Sequence, residues 1–111
     1  MINKAKPEIK ITLDKERTLR LDGNAMTLFE AQTGKNLLRA NTYNELNMTE
    51  IQILLWCCLK DEDMELKKDQ LGKMYDMRDM PYIVEIMKQL WDVSMPDKDE
   101  GTDPLATLQN G

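Results

Sequence analysis

The sequence predicts an α+β fold: an N-terminal β-hairpin packed on a cluster of about four helices. Three observations carry this. Apolar and polar residues alternate with a period of two on either side of a charged turn between residues 9 and 21. The most apolar stretch, Ile51-Gln52-Ile53-Leu54-Leu55-Trp56-Cys57-Cys58-Leu59, follows directly on a helix-start signal. Ile83, Ile86, Met87 and Leu90 recur at i, i+3, i+4 and i+7, the spacing of an amphipathic helix. We expect residues 1–95 to form one domain and residues 96–111 a disordered acidic tail.

The hairpin comes first in the chain. Ile9, Ile11 and Leu13 alternate with Lys10 and Thr12, and Leu19 and Leu21 alternate with Thr18 and Arg20. Asp14-Lys15-Glu16-Arg17 is the expected turn, with Lys10 and Arg20 facing outward. A lone hairpin is marginal in water, so it must pack on helices or pair with another chain's edge.

Asp22-Gly23-Asn24 then breaks the strand, and either Asp22 or Asn24 suits a helix cap. Ala25, Leu28 and Phe29 share a face of the helix that follows, and Gly34 marks its end. Asn36-Leu37-Leu38 is expected to open a short helical turn, and Asn41-Thr42-Tyr43-Asn44 to be a polar connector.

The run 51–59 is predicted to be the central helix, which the other elements cover. Two start registers remain open: Asn47 with Glu50, or Thr49 with Gln52. A helix apolar on nearly every side should be covered on nearly every side. The run falls short of the roughly 20 apolar residues that span a bilayer. Cys57 and Cys58 are adjacent, so they point about 100° apart on a helix and are expected to be buried, reduced thiols.

Asp61-Glu62-Asp63 is an acidic loop, expected to be solvated. As the start of a calcium loop it would need Gly at its sixth position and Glu at its twelfth, where Leu66 and Gly72 stand. Lys67 to Met77 is predicted to be helical, with Leu71, Met74 and Tyr75 on one face and Gly72 marking close helix packing. Pro81 suits the first turn of the last helix, which carries Trp91 at the edge of its apolar face. Pro96 closes the fold.

Composition bounds the function. The chain has 111 residues, a net charge of −5 and no basic cluster, which disfavours a phosphate-backbone partner. The N-terminus has no apolar run of the signal-peptide kind, so a cytosolic protein is expected. There is no His, no Gly-rich phosphate loop and no thiol–imidazole metal set, so no catalytic site, cofactor, metal or small-molecule substrate is expected. Nine Met against a single Phe fit either a plastic core or an adaptable binding surface.

Several strings taken together resemble a known family. They are Ile11-Thr12-Leu13, Arg17-Thr18-Leu19-Arg20-Leu21-Asp22, Leu28-Phe29-Glu30-Ala31-Gln32-Thr33-Gly34-Lys35-Asn36-Leu37-Leu38 and Leu54-Leu55-Trp56-Cys57-Cys58-Leu59. In their order and spacing they resemble the tail assembly chaperones of long-tailed bacteriophages and the related gene-transfer-agent proteins. The resemblance covers about residues 11–75. Gly23 stands where that family more often has an aliphatic residue, and Lys67 where a Thr cap is usual.

The resemblance implies a non-catalytic protein of the bacterial cytoplasm that binds the tape measure protein, with the tail tube protein as a second partner. It also implies self-association, for which the hairpin edge is the candidate surface. Such proteins often come in a short form and a frameshifted long form, and this length and acidic end suit the short one. Met26, Phe29, Met48, Met77, Met80 and Trp91 are the candidate client-binding residues, although each also reads as core; Glu30 is the candidate polar contact. The rival reading is a small acidic regulator that binds a protein or mimics DNA charge. Against it, the 15 Lys and Arg are interspersed with the acids.

Overall fold

The computed structural model describes residues 7–39 and 42–95. The acidic tail expected at 96–111 lies outside the described residues. Within them the architecture is α+β. Strands β1 (Ile9–Thr12) and β2 (Glu16–Leu19) precede four helices, α1 (Gly23–Thr33), α2 (Met48–Leu59), α3 (Lys68–Leu71) and α4 (Met80–Ser94). Short 3-10 turns stand at Tyr43–Glu45 and Met77–Asp79.

The strands pair antiparallel, with Ile9 opposite Leu19 and Ile11 opposite Arg17. The turn is therefore Leu13-Asp14-Lys15, shorter than expected, and Glu16 and Arg17 belong to β2. Partners across an antiparallel pair share a face, so Arg17 points inward with Ile11 and Leu19. It is only 5% exposed. Its guanidinium donates to both Asp14 oxygens, at 2.8 and 2.9 Å, and lies 3.4 Å from Asp63. These bonds neutralise the one buried cation among the described residues. Hydrogen bonding from Arg17 in turn lowers the Asp14 pKa below its ordinary 3.8.

The acidic loop is solvated as expected, with Asp61 and Glu62 exposed, and its side chains also reach the second half of the hairpin. Asp61 pairs with Arg20 at 3.2 Å, Glu62 accepts from the Thr18 N–H at 3.2 Å, and Asp63 reaches Arg17. The Arg20 N–H donates to the Cys58 carbonyl at 3.0 Å, tying β2 to the end of α2. On the other strand, the Thr12 N–H donates to the Tyr82 hydroxyl at 2.9 Å. The Thr12, Thr18 and Arg20 N–H groups of the hairpin are thus used within the chain, so it packs on the rest of the fold.

Asp22, not Asn24, caps α1, accepting from the Ala25 N–H at 2.9 Å. Gly34 ends the helix in the left-handed region (φ 78°), where a Cβ is strained. Residues 36–39 form a hydrogen-bonded turn rather than a helix. The Asn36 side chain takes the Leu38 N–H, a local bond that competes with helix formation. The described part of the connector expected at 41–44, residues 42–44, is also less polar in its role than expected. Thr42 is buried, and the Tyr43 ring packs 5.3 Å from that of Trp91 while its hydroxyl reaches the Val84 carbonyl.

The core joins Ile11, Leu19, Phe29, Leu54, Leu55, Leu59, Leu71, Ile83, Met87 and Leu90, all essentially inaccessible. Helix α2 packs against α1, β2 and α3, and α4 packs against β1. Both thiols are buried and free. The segment expected to be helical from 67 to 77 ends as a helix at Leu71. The Gln70 side chain closes its start on the Lys67 N–H, and Gly72, a weak helix former, lies against Gln52 of α2.

Candidate protein-binding groove

The groove forms where the starts of α2 and α4 meet. Asn47 fixes the first wall: its side chain accepts from the Glu50 N–H at 2.8 Å, and Glu50 accepts from the Asn47 N–H at 3.0 Å. The structure thereby selects the earlier of the two registers. The Asn47 N–H, and then Lys35 at 3.0 Å, hold the Glu50 carboxyl below its ordinary pKa of 4.5. This cap starts the helix at Met48, which points out from the first turn and is 52% exposed.

A second wall comes from the chain between α3 and α4. Tyr75 donates its hydroxyl to the Gln52 side-chain oxygen, drawing this segment onto α2. Burial raises the Tyr75 pKa, so the phenol stays a donor at neutral pH. Asp76 then caps the 3-10 turn, accepting from the Arg78 N–H at 3.0 Å, while Asp79 accepts from the Asp76 N–H at 3.0 Å. The turn sets Met77 outward, 69% exposed, and leads into Met80 and Pro81 at the start of α4.

The result is an open groove of about 410 Å³ between Met48 and Thr49 on one side and Tyr75, Met77 and Met80 on the other. Gln52 and Asp76 complete its lining. Three thioethers give it a polarisable, adaptable surface. Its only carboxylate, Asp76, already serves as a cap. The chemistry on offer is therefore apolar contact, with the Tyr75–Gln52 pair as a polar spot.

Of the seven candidate residues, Met48, Met77 and Met80 line this groove. Phe29 and Trp91 do not offer a surface: Phe29 is fully buried and Trp91 is 7% exposed. Phe29 lies on the inner face of α1 with Ala25, and Trp91 is held against Tyr43. Met26 is half-buried and packed against the core, and Glu30 is exposed on α1; neither lines the groove. Sequence reasoning missed Thr49, Gln52, Tyr75 and Asp76. The lone polar residue in the run 51–59, Gln52, was the available signal.

A second cleft, of about 300 Å³, lies between the start of α1 and the end of α2, with Asp22, Leu28, Cys57, Asp61 and Met64 among its lining. Burial pushes the Cys57 thiol up to about 12, so it is not a thiolate at neutral pH. Among the described residues no helix is long and apolar enough to cross a membrane. Comparison with family models, curated proteins and solved structures finds no match.

Proposed function

We propose that this chain is a tail assembly chaperone of the bacteriophage type. It acts without catalysis in the bacterial cytoplasm, and its client is the tape measure protein, with the tail tube protein as a second partner. The observation that carries this reading is the meeting of Met48, Met77 and Met80, from stretches some thirty residues apart, around one open apolar groove. An amphipathic client helix docks in such a groove through apolar side chains on one face. Flexible methionines adapt to the varied faces that a long client presents in succession. The strings that resemble those of the phage family suggest the identity of the client.

Co-expression with a tape measure protein tests the proposal. The client is expected in the soluble fraction, co-purifying with this chain. A client equally insoluble with and without the chain overturns the reading.

A further inference from the structure

We draw no further inference here: the strongest candidate, the partly exposed stripe of Tyr82, Ile86 and Val93 along α4, is, beyond the bond that the Tyr82 hydroxyl accepts from the Thr12 N–H, an apolar surface, and nothing in the structure shows what covers it.

Discussion

The two ends of α2 meet different fates. From Leu54 to Leu59 the helix buries Leu54, Leu55, Cys57, Cys58 and Leu59 under its neighbours. From Met48 to Ile53 no residue is fully buried, and Met48 and Thr49 are exposed. Sequence and cover change together: Thr49, Glu50 and Gln52 interrupt the first half, whereas Leu54 to Leu59 is apolar throughout. The helix packs against α1 and β2, and the Arg20 N–H is bonded to the last turn of its second half. The first half faces a short segment that touches it through Tyr75 and then turns away at Asp76. One helix therefore serves as the centre of a core at one end and the wall of a groove at the other.

Substitutions at the two ends should separate these roles. The largest effect is expected at the covered end. Leu55→Ala removes a fully buried side chain and should cost about 2–5 kcal/mol, the range for such core truncations. Urea unfolding followed by Trp fluorescence checks this; a loss within about 0.5 kcal/mol, as for a surface site, would place Leu55 outside the core.

At the other end, Asn47→Ala removes a cap and should cost about 1 kcal/mol. The same titration measures it. An unchanged midpoint would mean that the first turn of α2 does not depend on the Asn47–Glu50 pair.

Acid should act on the hairpin turn and on the first turn of α2, through two carboxyls held below their ordinary values: Asp14 by Arg17, and Glu50 by the Asn47 N–H and Lys35. A depressed folded-state pKa contributes stability that is complete above the unfolded value and lost as pH falls through the folded one. Stability should therefore decline as pH drops below the ordinary values of 4.5 and 3.8. Urea midpoints measured from about pH 6 to about pH 3 test this. Asn47→Ala takes away the acceptor of the Glu50 N–H but leaves the backbone N–H of residue 47 and Lys35 on the Glu50 carboxyl, and leaves Asp14 paired, so the decline should persist through both carboxyls. A midpoint that rises on acidification contradicts the sign.

Much of this layout was legible in the residues. The alternation at 9–21, the Gly34 stop and the i, i+3, i+4, i+7 pattern of α4 each follow from one local rule; α1 and α4 stand where they were expected, and the hairpin does too except that β2 begins at Glu16, inside the expected turn. Three features were not legible, because they depend on contacts distant in sequence. Arg17 looks like a turn residue until the register sets it opposite Ile11, and one of its partners, Asp63, is 46 residues away. The segment after Leu71 has a helical pattern of apolar residues, but Tyr75 leaves that path to reach Gln52, 23 residues back. Phe29 and Trp91 resemble binding anchors by residue type, whereas the covering elements make them core. In the groove, the methionines were legible as candidates, but their meeting was not. It requires α2 and α4 to start at the same place, which no local pattern encodes.

The central claim is that the groove at the start of α2 is spare surface for a client rather than part of the folded core. The most direct measurement is co-purification of a tape measure protein with Met48→Ser/Met77→Ser, beside the urea midpoint of that variant. Both side chains are exposed, so stability should stay within about 0.5 kcal/mol of the parent while client capture is lost. Undiminished capture by a variant of unchanged stability, or a variant that unfolds as readily as Leu55→Ala, would contradict it.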